Sequence, residues 1–257
     1  MSSKTSKSCY ACDRQPVSRE HVPPKCLFPT ELKQNLRKEL ITVPSCELHN
    51  GKKSDDDEFL LASLAGIIGC NDIGMLHKFT KVDRAIRRSG GRLFEKILKD
   101  YEIKSYKLKN GSIVDIAWGK PDLERLNNCF ALIGRGLYFH ELGERFKGKV
   151  ICEVVYVPSK DRGWSGYREY AVEQMSKELS ATEIKGKNPE VFQWTIGPRD
   201  FSGACCGKIL FYGNLAVYLA FIPKSFKEEK FMSLYDFAKL TNKPVFIQKD
   251  GKKFRIN

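Results

Sequence analysis

CYACDRQPVSREHVPPKCLF (residues 9–28) and ITVPSCELHNGKKS (residues 41–54) carry the features from which the rest of the chain is read. Cys9 and Cys12 form one closely spaced pair, and Cys46 and His49 repeat the spacing. Such a spacing lets one tight turn aim both side chains at a single ion, and zinc takes four sulfur or nitrogen ligands in a tetrahedron. Cys9, Cys12, Cys46 and His49 are therefore expected to build a structural zinc site. A catalytic zinc keeps a position open for water, whereas this set is complete, so any chemistry falls to other residues. The competing reading, ordinary buried thiols or half of a disulfide set, leaves the repeated spacing unexplained.

Between the two pairs stands Glu20-His21, followed by Val22-Pro23-Pro24-Lys25, and after the second pair stands Asn50. This arrangement resembles the HNH endonucleases, the ββα-metal nucleases. In that family one strand carries an acidic residue and then the catalytic histidine, and a second strand leads into a helix that supplies an Asn or His to the catalytic metal. The resemblance extends over residues 9 to 58 and implies His21 as general base, with Glu20 and Asn50 as ligands of a divalent ion, Mg²⁺ or Mn²⁺. It also implies a phosphate contact for Lys53. Ile41 stands where the family usually has its middle Asn, so a backbone carbonyl is expected to orient the ring of His21.

Elementary chemistry agrees with those roles. Phosphodiester hydrolysis needs a deprotonated water in line with the leaving oxygen and positive charge to meet the phosphate as its charge grows. Histidine titrates near neutral pH and can take the proton, while Glu and Asn oxygens suit a hard cation that retains several waters. The expectation is a metal-dependent endonuclease acting on nucleic acid, DNA ahead of RNA. Nucleases with such a motif and an added domain include restriction and phage-defence effectors. The alternative is a non-catalytic zinc module that binds nucleic acid or protein.

Composition sets bounds on the remainder. The 257 residues are 42% hydrophobic, enough for a sizeable core, and a net charge of +13 with a pI near 9.3 favours a polyanionic partner. No apolar run approaches the ~18–20 residues of a membrane helix, the nearest being LLASLAGIIG at 60–69. An odd number of cysteines with no secretory leader predicts free thiols and a cytoplasmic location.

The predicted fold class is α+β, with a zinc-stabilised ββα unit over residues 1–69 and a larger mixed α+β accessory domain over 70–257. Residues 1–8 are polar and basic. A first strand is expected within 14–22, a short helix at Thr30–Glu39 and a second strand at Leu40–Pro44. Ser54-Asp55-Asp56-Asp57-Glu58 matches a helix start, where acidic groups complement the helix dipole, better than it matches a metal site. A buried helix over 59–69 then closes the unit, with Cys26 as apolar filler.

Residues 78–100 pattern as two amphipathic helices broken at Gly90-Gly91, with Phe79, Val82, Ile86, Leu93 and Ile97 on the apolar faces. Arg84, Arg87, Arg88 and Arg92 gather around the break and are the expected phosphate track. Asn110-Gly111 between Ile103–Leu108 and Ser112–Trp118 predicts a hairpin. A central helix over Pro121–Phe146, strands at Val150–Val157, Phe192–Ile196, Lys208–Tyr212 and Leu215–Ile222, a helix at Tyr167–Leu179 and a closing hairpin around Lys249-Asp250-Gly251 complete the pattern. His140 and Glu141 fit the polar edge of a packed helix, and Cys205-Cys206 fits a strand start without a disulfide. Dimerisation, substrate selection or docking of a regulatory partner are the roles left for this second region.

Overall fold

The computed structural model describes residues 8–51, 54–107, 111, 113–157, 162–225, 246–249 and 252–255. The chain is a mixed α+β structure with no helix among the described residues long and apolar enough to cross a membrane. Two short strands, β1 (Ser18–His21) and β2 (Thr42–Ser45), pair antiparallel, with Glu20 opposite Val43 and His21 opposite Thr42. Helices α1 (Glu47–Asn50) and α2 (Ser54–Leu64) follow directly. Asp55, Asp56 and Asp57 occupy the first turn of α2, and Asp56 pairs with Arg125 at 2.7 Å, so the acidic run serves the helix and its packing.

The segment expected as a helix over Thr30–Glu39 forms turns instead. Its backbone and side chains are engaged elsewhere. Arg37 N donates to Asn35 Oδ1, Arg37 Nε donates to the carbonyl of Phe28, and Glu39 sits at φ 51°, outside the helical region. Leu36 is buried at 1% exposure, while Asn188 Nδ2 donates to the carbonyl of Lys38 and Gln34 Nε2 to Glu190. Long-range anchors of this kind outweigh a local helical preference of tenths of a kcal/mol per residue, about 0–0.7 for ordinary residues.

Helix α3 (Asp72–His77) passes through a wide π turn, Lys78–Val82, into α4 (Asp83–Arg88), and α5 (Arg92–Ile97) follows the glycine break. Val82, Leu93 and Ile97 are buried as expected, but Phe79 is 64% exposed. The π turn breaks the 3.6-residue repeat on which that apolar stripe was read. Helix α2 likewise ends at Leu64 rather than 69, and α5 yields at Leu98 to a long ribbon, β3 (Leu98–Lys107) with β4 (Ile113–Pro121). The Asn110 turn position lies outside the described residues.

The larger sheet is antiparallel in the order β5-β9-β8-β7-β6, from β5 (Gly148–Val154), β6 (Lys185–Asn188), β7 (Phe192–Ile196), β8 (Cys205–Phe211) and β9 (Leu215–Pro223). Helix α6 (Leu123–Leu142) packs on it, and α7 (Arg162–Leu179) precedes β6. The expected closing hairpin is present as β10 (Phe246–Lys249) with β11 (Lys252–Arg255), its turn outside the described residues. Glu141 accepts from Trp194 Nε1 at 3.0 Å and from Lys185, a structural use of that helix edge.

One buried cluster contains Cys9, Tyr10 and Val22 together with Phe130, Leu219 and Phe221, so residues on both sides of position 69 share a core. Helix α6 stands between the β1–β2 hairpin and the sheet, and two glycines permit both approaches. A Cβ on Gly134 would lie 3.0 Å from Leu219 Cδ1, whereas one on Gly136 would lie 2.6 Å from Cγ2 of buried Val22. Alanine gains up to about 1 kcal/mol of helix propensity over glycine, and overpacking costs about 1–3 kcal/mol. Gly136→Ala is therefore expected to lower the unfolding midpoint, since Val22 is β-branched and enclosed, while Gly134→Ala is close to neutral because a leucine methyl can turn aside. Equal midpoints for the two variants in denaturant unfolding would contradict this packing.

Candidate metal centre and its flanking basic face

Cys9, Cys12, Cys46 and His49 converge, each offering one ligand atom, and those atoms all lie within 4.8 Å of one another. Two local turns do the placing. Ala11 N reaches Cys9 Sγ at 3.5 Å in the first, and the second opens α1, where His49 N donates to the carbonyl of Cys46 at 3.1 Å. Tyr10 N donates to Pro44 O and Val17 N to Ser45 O, both at 2.9 Å, which lays the first turn along β2.

The edges of the group fit a tetrahedral ion. Cys12 Sγ and Cys46 Sγ are 3.6 Å apart, and His49 Nδ1 is 3.5 Å from Cys9 Sγ and 3.3 Å from Cys46 Sγ. Zn–S bonds of about 2.3 Å and Zn–N bonds of about 2.0 Å demand edges of roughly 3.8 Å between sulfurs and 3.5 Å from sulfur to nitrogen. The group can hold a structural metal such as zinc. Among the described residues it is the one cluster of three or more His, Cys, Asp or Glu side chains arranged this way. All nine cysteines are free of disulfides, and burial pushes Cys152 and Cys206 up to about 12 and Cys205 to about 11, which makes them inert thiols.

The hairpin distributes the other motif residues over two faces, because successive strand residues point to opposite sides. Ser18 and Glu20 share one side. Asn50 joins it, donating from Nδ2 to Ser18 Oγ at 2.7 Å and to Arg19 O at 3.4 Å. Glu20 is turned inward at 5% exposure beside Tyr10, whose phenol is raised first by burial and then by the charge of Glu20.

His21 is half-buried on the other face of the strand. Arg19 lies on the same side, its guanidinium donating to Thr42 Oγ1 at 2.8 Å and Thr42 O at 2.7 Å. Burial, then the charges of Lys25 and Arg37, lower the His21 pKa, so the ring is neutral at neutral pH. No described residue hydrogen-bonds that ring. The carbonyl of Ile41, the residue in place of the family's middle Asn, accepts from Val22 N at 3.0 Å.

Lys53 lies outside the described residues. Arg84, Arg87 and Arg88 line a cavity together with Arg37, His77 and Lys81, but Arg92 is not part of its wall; its Nε donates to Ser89 O at 3.0 Å. Arg19, Lys25 and Arg37 were not singled out from the sequence; strand alternation links Arg19 to His21, whereas nothing local links Arg37 to it. His77 and Lys81 did leave a signal, since 77, 81, 84 and 88 are spaced by helical turns. Comparison with family models, with curated proteins and with solved structures finds no match.

Removing one zinc ligand is expected to be drastic, because binding of a structural zinc contributes on the order of 10 kcal/mol to folding. Cys46→Ala is expected to lose the metal and unfold the β1–β2 hairpin. One zinc per chain and a native melting profile in that variant would refute the ligand set.

His77 generates a pH prediction. Its pKa is lowered to about 4, first by burial, then by the charge of Lys81, against the opposing influence of Glu31 and the Leu27 carbonyl. A folded-state pKa below the unfolded value of about 6.5 means that the unfolded chain binds the proton first. The resulting stability is complete above about pH 6.5 and is lost as pH falls towards 4, at most about 3.5 kcal/mol at about 1.4 per unit. His77→Phe is expected to flatten that limb of unfolding free energy against pH, and parallel wild-type and variant curves between pH 6.5 and 4 would rule it out.

Proposed function

We propose that the chain is a zinc-stabilised endonuclease of the HNH type that hydrolyses phosphodiester bonds of nucleic acid, DNA ahead of RNA. The observation that carries this reading is the arrangement of two ligand turns around an antiparallel hairpin whose first strand ends in Glu20-His21, with Asn50 folded back onto it. The zinc group holds the hairpin, and His21 takes the chemistry.

In this reading a substrate phosphate approaches the side of β1 that carries His21. Arg19, Lys25 and Arg37 supply positive charge there, favouring the phosphate and the charge that grows on it in the transition state. The neutral imidazole of His21 accepts a proton from a water molecule while the water oxygen forms a bond to phosphorus. The P–O ester bond breaks, and its electron pair leaves with the departing oxygen, which gains a proton from solvent. The resemblance would place a divalent ion at Glu20 and Asn50, but these side chains lie on the side of β1 opposite His21, so the charge on the phosphate is met by Arg19, Lys25 and Arg37.

A second reading has one specific observation in its favour. Glu20 is buried and points away from the His21 face, an arrangement suited to a zinc module that binds nucleic acid or protein without cutting it. Activity separates the two. Purified zinc-loaded protein, incubated with plasmid DNA and with RNA in Mg²⁺ or Mn²⁺, is expected to cleave, and His21→Ala is expected to lose about 100- to 10,000-fold in rate with zinc content and melting unchanged. Absence of cleavage by the wild type on both substrates, or full activity in His21→Ala, would sink the nuclease assignment.

A further inference from the structure

His77, Lys81, Arg84 and Arg88, carried by α3, the π turn and α4, line one wall of a cavity. Facing them is the turn-rich segment that replaced the expected helix. Pro29, Thr30, Glu31 and Arg37 complete a cavity of about 490 Å³ with Arg87 on its wall. Five cations thus meet one carboxylate. Glu31 and Arg84 stand 4.0 Å apart, and Arg37, Lys81, Arg87 and Arg88 form no ion pair with any described carboxylate. A concave wall of like charges focuses positive potential into its interior.

The guanidinium groups are held ready for an oxyanion. Arg84 Nε donates to the Thr80 carbonyl at 2.7 Å and Arg37 Nε to the Phe28 carbonyl at 2.9 Å. Each arginine is thereby fixed through one nitrogen and keeps its terminal nitrogens as the fork that phosphate oxygens match. His77 is 1% exposed, and neither ring nitrogen has a hydrogen-bond partner of good geometry; the nearby Leu27 carbonyl accepts from Tyr212 Oη at 2.9 Å. A buried ring with unsatisfied nitrogens costs stability unless something polar meets it. The cavity lies within the range of about 300–1,000 Å³ typical of small-ligand sites, roomy enough for a nucleotide unit.

Arg37 also bears on His21, since its charge reaches both that ring and His77. We propose that this cavity is a phosphoryl-binding site that holds a backbone phosphate of a nucleic-acid strand, with Arg37, Arg84 and Arg88 as principal ligands. The identity of the strand rests on the nucleolytic reading; the anion site itself does not. Arg92, outside the wall, takes no part.

The test uses the full zinc-loaded chain with Ca²⁺ in place of Mg²⁺, a short fluorescein-labelled single-stranded oligodeoxynucleotide as probe and inorganic pyrophosphate as competitor. The wild type is expected to bind the strand, and pyrophosphate to displace it. Arg84→Ala combined with Arg88→Ala is expected to weaken binding at least tenfold and to flatten the slope of log K against log salt by about 1.4, two contacts at about 0.7 each for a single strand. These side chains are exposed, so circular dichroism is expected to show unchanged folding, and Arg92→Ala is expected to change affinity less than twofold. Wild-type affinity and slope in the double variant would overturn the proposal, as would pyrophosphate binding that leaves the oligonucleotide in place. Cleavage assays on the same proteins separate this proposal from the nuclease reading. Cutting that persists with unaltered binding in the double variant removes the pocket alone, whereas loss of binding in a chain that never cuts removes the nuclease alone.

Discussion

Four ligand atoms drawn from two turns, one at Cys9 and Cys12 and the other at Cys46 and His49, meet within 4.8 Å, and the N-terminal part of the fold depends on what holds them there. Three sulfurs at such separations repel as thiolates and gain little as thiols, so a cation at their centre converts an unfavourable cluster into a cross-link. Such a cross-link would span a long loop and fix β1 against β2, a pair with only four residues on each strand, too few for an isolated hairpin to persist in water.

Helix α6 extends that constraint into the body of the protein. Its glycines allow Val22 on one side and Leu219 on the other to approach the helix closely, so the hairpin and the five-stranded sheet share one wall. Tyr138, Phe146 and Phe221 lock the far side with ring centroids 4.9 to 5.3 Å apart. Arg125 near the start of α6 pairs with Asp56 and lies 4.2 Å over the ring of Phe59, which ties the start of α2 to the same helix. The direction in which His21 faces therefore follows from packing at a distance as well as from its own strand.

The segment between His21 and β2 shows how such packing reshapes local preference. Tyr212, buried in the sheet region, donates its hydroxyl to Leu27 O; Asn188 reaches Lys38 O, and Leu36 is enclosed. Held at these points, the chain between them forms turns and brings Arg37 to the cavity that His77 also lines, and no helix over the same residues would be pinned at the same points.

By itself the sequence determined the metal group, because a repeated two-residue gap between Cys and His ligands encodes a local turn whose geometry needs no tertiary partner. The α6 helix, the glycine break after Arg88 and most strands of the larger sheet were legible for the same reason, their periodicity and turn residues being local. Only the tertiary structure decided that Thr30–Glu39 would not be helical, that Phe79 would face solvent after a π turn, and that Glu20 and His21 would look to opposite sides. It alone brought Arg37, Lys81, Arg84 and His77 around one cavity. The physical reason is that hydrogen bonds and buried contacts from residues more than a hundred positions away, such as Asn188 and Tyr212, outweigh preferences worth tenths of a kcal/mol per residue, and no local pattern announces them.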